Sequence, residues 1–157
     1  MYIFCIFSVL LLVAADQAVK YIVMLNIPDQ TVSGQAINVI PHVLGITHVH
    51  NTGGAWSVLS QHTWLLAAVS AAAALVILYI LLRRKVTAPL GVWALALVLA
   101  GAVGNMIDRI RLGYVVDMFL FLFIRFPVFN VADICVTAGG ILLCIYILFF
   151  YERQGKG

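Results

Sequence analysis

Charge is scarce in this chain. Of its 157 residues only 10% are Asp, Glu, Lys or Arg, against 64% hydrophobic. A soluble domain of this length has no use for so much apolar surface, so lipid is the solvent for much of the protein. A net charge of +3 is too small and too scattered to point to nucleic acid. Cysteine is scarce as well. Cys5, Cys135 and Cys144 all fall within apolar runs and no two have CxxC spacing; they read as small packing residues, not as a disulfide framework or a redox pair. There is no HExxH, which argues against a membrane metallopeptidase. Ser57, Ser60 and Ser70 lack a nucleophile-elbow context, and a Ser–Lys dyad would have to draw on Lys20 or Lys85. No internal repeat or low-complexity tract stands out.

Four apolar runs dominate instead: residues 2–24, 64–82, 89–107 and 134–151. About 20 residues at 1.5 Å each cross a ~30 Å hydrocarbon core, so each run predicts a membrane-spanning helix. The VAAD stretch in the first run resembles a small-residue cleavage site. However, no basic residue precedes it and apolar character resumes after Lys20, so the run is expected to be retained as a span. Lys/Arg density sets topology. Arg83, Arg84 and Lys85 crowd the tight loop between spans two and three, and Arg153 and Lys156 follow span four. This predicts that both termini and the tight loop are cytoplasmic, with Lys20, Arg109, Arg111 and Arg125 on the outer side. Little chain remains outside the spans, and we expect one domain over residues 1–157.

Two segments face outward. Residues 26–63 carry turn chemistry at Pro28-Asp29, Ser33-Gly34 and Gly53-Gly54, with strand-like stretches at 36–39 and 45–50. They predict a small β-rich cradle on the outer surface. Residues 109–130 include the phenylalanine-rich run MFLFLFIRFP at 118–127. It is too short to span and should lie sideways in the interface, as a short amphipathic element or strand.

Ionisable groups at membrane depth cost roughly 2.5–3.5 kcal/mol at the centre of a helix, so those retained are usually paired or functional. Asp16 and Lys20 stand four apart in the favourable acid-before-base order for an intrahelical ion pair. On span three, Ala96, Ala100, Gly104 and Asp108 recur every four residues, with Gly101 and Asn105 in the adjacent row. Such a small-residue face permits close helix approach and carries Asn105 and Asp108 into the bundle. Asp108 has Arg109 or Arg111 as a local base. Asp117 and Asp133 have none. Asp133 sits where an N-cap would and, with Asn130, Thr137 and Gly140, continues a polar and small stripe. His48 and His50 read as surface residues. In the predicted topology Asp16, Asp108, Asp117 and Asp133 converge on one membrane depth, where like charges repel unless paired or sharing protons. Two unpaired carboxylates form a dyad that can activate water and polarise a carbonyl. Clamping roles for Asp108, Asp117 and Asp133 stay open at this point, as do a small transporter and an assembly subunit.

The charged and polar blocks resemble, in order, those of the lipoprotein signal peptidases. They are Ala15-Asp16-Gln17 with Lys20; Asn51-Thr52-Gly53-Gly54-Ala55-Trp56; Gly104-Asn105-Met106-Ile107-Asp108-Arg109 followed by Gly113 to Asp117; and Phe129-Asn130-Val131-Ala132-Asp133. The resemblance implies a bacterial plasma-membrane aspartic endopeptidase that needs no metal or cofactor and works as a monomer. Asp117 and Asp133 match the catalytic pair. Asn51, Gly53, Asn105, Asp108, Arg109 and Asn130 match positions lining the cleft or supporting the pair, and Asp16 and Lys20 match positions supporting the fold beside it. The implied partners are membrane lipids and diacylglyceryl-modified prolipoproteins, cut before the lipidated cysteine. The 26–63 segment corresponds to an outer β-cradle that helps hold substrate, and Phe119, Phe121 and Phe123 are candidates to flank acyl chains. Trp56, Met118 and Ala100 depart from the family pattern in packing volume only.

Overall fold

A computed structural model describes residues 1–33, 35–54, 60 and 62–150. Gly34, the Ala55-Trp56 end of the second block, Ser57, Tyr151 and the charged tail with Arg153 and Lys156 lie outside the described residues.

All four apolar runs are helices: α1 (Tyr2–Asn26), α2 (Thr63–Leu82), α3 (Pro89–Leu112) and α4 (Val131–Phe149). Each is long and apolar enough to cross a membrane. Between them lie β1 (Ile37–Ile40), β2 (Leu44–Asn51) and β3 (Val115–Phe121), which form one antiparallel sheet in the order β1-β2-β3. The expected architecture of four spans with a small β-rich element is therefore present.

One boundary moves with consequence. Span three was expected to end at 107, but α3 continues to Leu112 and stops at Gly113, whose φ of 80° is the left-handed cap that glycine adopts at least cost. Asp108, Arg109 and Arg111 are therefore helical, and the outer segment begins later than 109. Part of that segment takes the strand alternative: residues 115–121 pair with β2, Val49 opposite Asp117 and Ile46 opposite Phe119. The cradle is built from both outer segments.

Helix α3 is the hub, packing on α1, α2 and α4. Lipid tails are as apolar as leucine, so burial does not drive helices together there; close backbone approach does. A methyl at Gly101 would sit 2.3 Å from the Ala132 carbonyl oxygen, and one at Gly139 would sit 2.8 Å from that of Ala94. These glycines let α3 and α4 touch along their length. Cys5, Val9, Ala74, Ile77, Leu95 and Leu99 pack α1 and α2 against the other side of α3. The cysteines are free, with Cys5 and Cys135 buried and Cys144 exposed. At the far end, α2 finishes in a Schellman turn, with Lys85 N–H donating to the Ile80 carbonyl and Arg84 N–H to that of Leu81. Arg84 takes the left-handed position at φ 51°, where glycine has the lower backbone cost.

Candidate active site

The first buried charge cluster forms where α1 meets the outer half of α3. Lys20 Nζ lies 2.8 Å from Asp16 and 2.9 Å from Asp108, and donates to Asn105 Oδ1 at 3.0 Å. Lys20 is 2% exposed, which is affordable only with all three protons placed. Asp108 was expected to pair with Arg109 or Arg111. It pairs with Lys20 because the helix continues through 108, keeping that side chain on the inward row. Arg109, one position round, instead donates to the Gly53 carbonyl at 3.2 Å, and Arg111 is exposed.

The acids also serve as anchors for neighbouring backbone. Asp16 accepts from Ala132 N–H at 2.9 Å, tying α1 to the start of α4, and Asp108 accepts from Val116 N–H at 3.2 Å, tying α3 to β3. Gln17 completes the cluster, donating to Asp16, to the Gly104 carbonyl and to Asp108 at 2.8 Å. Sequence reasoning gave Gln17 no role. Its signal was membership of the Ala15-Asp16-Gln17 block.

Asp117 and Asp133 lie at the polar end of a cavity of about 900 Å³ that Asn51, Asn105 and Arg109 also line. Strand β3 delivers Asp117 and the first turn of α4 delivers Asp133. Neither carboxylate forms an ion pair among the described residues. Three asparagines hold them. Asn51 Nδ2 donates to Asp117 at 2.8 Å, Asn130 Nδ2 to Asp117 at 2.6 Å, and Asn105 Nδ2 to Asp133 at 2.8 Å.

Each amide is locked in this sense because its oxygen is already occupied. Asn51 Oδ1 accepts from Gly53 N–H, Asn130 Oδ1 from Asp133 N–H, and Asn105 Oδ1 from Lys20 and Asn130. Asp133 returns a bond by accepting from Asn130 N–H, so residues 130 and 133 form a reciprocal capping box. The N-cap residue is thus Asn130, and Asp133 stands three residues inside, where a cap expectation based on Asp133 alone had not placed it.

Asp117 is 2% exposed. Burial, and then the charge of Asp133, push its pKa from the ordinary 3.8 up to about 7, against the opposing pull of the Asn51 and Asn130 donors. A carboxyl poised near neutrality is suited to exchanging protons.

Apolar side chains line most of the rest of the cavity. Phe121, Phe126, Phe129, Ile134 and Ile141 line it, with Thr137. The Asp133–Thr137 stripe therefore faces the cavity; the seam against the rest of the bundle is Ala132, Cys135, Gly139 and Tyr146 instead. Of the three phenylalanines singled out from sequence, Phe121 lines the cavity and rests against Phe129 at 5.2 Å, Phe119 is partly buried against the Val23, Val116 and Met118 cluster with its ring 5.8 Å from Phe129, and Phe123 is exposed. Met118 is fully buried in that same cluster below β3.

The histidines differ from expectation. His48 is buried, with Nδ1 2.9 Å from the Ile27 carbonyl oxygen. A register irregularity between Ile46 and Val49 breaks the strand's alternation, so consecutive Thr47 and His48 are both buried. His50 lines the cavity rim, stacked on Tyr114 at 3.9 Å and 3.3 Å from Asp29.

Comparison with known proteins agrees across the chain. The family model described as signal peptidase (SPase) II matches residues 8–149. The lipoprotein signal peptidase of Clostridioides difficile is 41% identical, over 95% of this chain and 97% of its own length. That of Lactiplantibacillus plantarum is 38% identical, over 94% and 95%. Among solved structures, a bacterial membrane enzyme determined by the in meso method superposes with a TM-score of 0.83 at 32% identity, covering 98% of this chain and 91% of the other.

Proposed function

The chain belongs to the signal peptidase II family, and on that premise we propose that it is an aspartic endopeptidase that removes signal peptides from diacylglyceryl-modified prolipoproteins, with Asp117 and Asp133 as its dyad. The cut falls on the N-terminal side of the lipidated cysteine. The enzyme sits in the bacterial plasma membrane as a monomer, both termini cytoplasmic and the dyad near the outer leaflet.

One observation carries this reading. Two carboxylates with no cation in ion-pair contact among the described residues meet at the polar end of a largely apolar cavity, each held by amide donors whose oxygens are already bonded. The acyl chains of the substrate suit the phenylalanine and isoleucine end, and the scissile peptide suits the aspartate end. Asp117, its pKa at about 7, carries the resting proton and donates it toward the carbonyl oxygen. Asp133 takes a proton from the attacking water. As the tetrahedral intermediate collapses, Asp133 passes its proton to the leaving nitrogen while one gem-diol hydroxyl returns a proton to Asp117 as the carbonyl reforms, so the pair ends as it began, with one proton. Asn51, Asn105 and Asn130 orient the two acids. Arg109, tied to Gly53, and Asn51 itself line the peptide's path. Lys20, Asp16 and Asp108 brace the walls.

The test is cleavage of a diacylglyceryl prolipoprotein followed by gel shift, with purified protein in detergent. Asp117→Asn and Asp133→Asn should each abolish the shift while the thermal melt stays cooperative. Cleavage that survives either substitution refutes the dyad. An inactive wild type, under conditions where a curated relative cuts, refutes the substrate.

A further inference from the structure

We propose that the end of the bundle remote from the aspartates carries a binding site for one anionic phospholipid, built on Arg84 and the groove between α1 and α2. Tyr2 is eighteen residues from Lys20 along α1, or about 27 Å at 1.5 Å per residue, so this site lies on the opposite membrane face from the aspartates.

Three observations converge there. The first is backbone cost. Arg84 occupies the left-handed position of the Schellman turn, where glycine is the least strained choice, and an outlier of this kind directs attention to the side chain it presents. The second is the guanidinium itself. It lies over the Tyr2 ring at 5.3 Å, and that ring is fixed because Tyr2 Oη donates to the Val86 carbonyl at 2.8 Å. Arg84 makes no side-chain hydrogen bond or ion pair among the described residues, and neither do its exposed neighbours Arg83 and Lys85. A held cation with free donors suits a phosphate.

The third is the groove. A cleft of about 180 Å³ has Cys5 and Leu81 as its floor, Tyr2, Ile6 and Leu82 as its walls, and Arg84 at its rim. It opens onto exposed Ile3 and Leu82. A free phosphate would engage the guanidinium and leave the apolar cleft empty. A phospholipid fills both, with its phosphate on Arg84 and the start of an acyl chain along α1 and α2. The crowded positive charge of residues 83–85 favours an anionic headgroup over a zwitterionic one.

Native mass spectrometry of the full chain in detergent, with added phosphatidylglycerol or phosphatidylcholine, tests this. The wild type should retain phosphatidylglycerol about fivefold more tightly, the worth of roughly one guanidinium at the surface. Arg84→Gln should remove that preference and Arg83→Gln, with the same change of charge, should keep most of it. Arg84→Gly, which the backbone favours, guards against misfolding and should behave as Arg84→Gln. Prolipoprotein cleavage should be unchanged in all three variants, so failure here is separable from failure of the peptidase reading. Equal retention of the two lipids by the wild type overturns the proposal. So do equal losses in the Arg83 and Arg84 variants, which would indicate diffuse charge, or retention of inorganic phosphate, added in place of lipid, as tight as that of phosphatidylglycerol, which would indicate an ion site alone.

Discussion

Replacing Lys20 with methionine removes a cation and leaves its volume nearly unchanged, so the expected loss is electrostatic and not a cavity effect. In the variant, Asp16 and Asp108 remain 1% and 3% exposed with no cation between them. Each keeps donors: Asp16 the Ala132 N–H and Gln17, Asp108 the Val116 N–H and Gln17. Removing one partner of a buried pair costs roughly 3–5 kcal/mol because the other charge is stranded. For a chain of this size that is roughly 6–20 °C of melting temperature, at about 2–4 °C per kcal/mol. Asn105 also loses its ammonium donor, and with it part of what aims its amide at Asp133, so cleavage should fall as well. Thermal unfolding in detergent would show the drop. Adding Asp108→Asn should recover part of it, since one stranded charge is then gone. A melting temperature within about 2 °C of wild type, less than 1 kcal/mol on the same scale, would mean that the cluster is hydrated or rearranges, and that Lys20 does not brace this site.

Four further outcomes follow from particular contacts. A folded pKa near 7 against the ordinary 3.8 means that the native protein holds the Asp117 proton more tightly than the unfolded chain. Stability therefore falls as pH rises from about 4 to about 7 and levels off above; Asp117→Asn should melt higher than wild type by a margin that grows between pH 5 and pH 8. If that proton serves the reaction, kcat/KM should decline as pH rises through about 7, and Asn51→Ala, which removes a donor that pulls the pKa down, should shift this limb to higher pH while lowering the rate. Gly139→Ala should destabilise by about 1–3 kcal/mol through overpacking against the α3 backbone. Adjacent Gly140→Ala, whose added methyl meets nothing within 4 Å, should be neutral or up to about 1 kcal/mol stabilising from helix propensity alone; paired thermal melts decide both.

Much of this arrangement was legible in the residue pattern because membranes restrict the vocabulary. A 20-residue apolar run has one good conformation in lipid, so four runs meant four helices. The i,i+4 spacing of Asp16 and Lys20, and the small-residue row ending at Asp108, follow from helix geometry alone. What escaped were pairings made across the chain. Asp108 pairs with Lys20 and not with the nearer Arg109 or Arg111 because α3 runs one turn beyond its apolar stretch, and nothing in a hydropathy reading ends a helix at Gly113 instead of at 107. β3 joins β2 across more than sixty intervening residues, so the phenylalanine-rich run could be read as an amphipathic element or a strand while its pairing partner stayed hidden. His48 was misjudged because a bulge breaks the strand alternation, and bulges leave little trace in composition. The resemblance marked Asn51, Asn105 and Asn130 as residues of the site, but not which acid each amide holds, because each amide's orientation is set by a third group.

The link from Asp16 to the Ala132 N–H has a consequence in time. Asp16 belongs to α1, which is synthesised before α4, the helix that Asn130 caps and that carries Ala132 and Asp133. Until α4 is synthesised, Asp117 lacks its Asn130 donor and has no second acid beside it. On the proposed dyad, a chain that has not yet made α4 cannot cut a peptide. The site is complete only when α4 packs against the earlier-made α1 and β3.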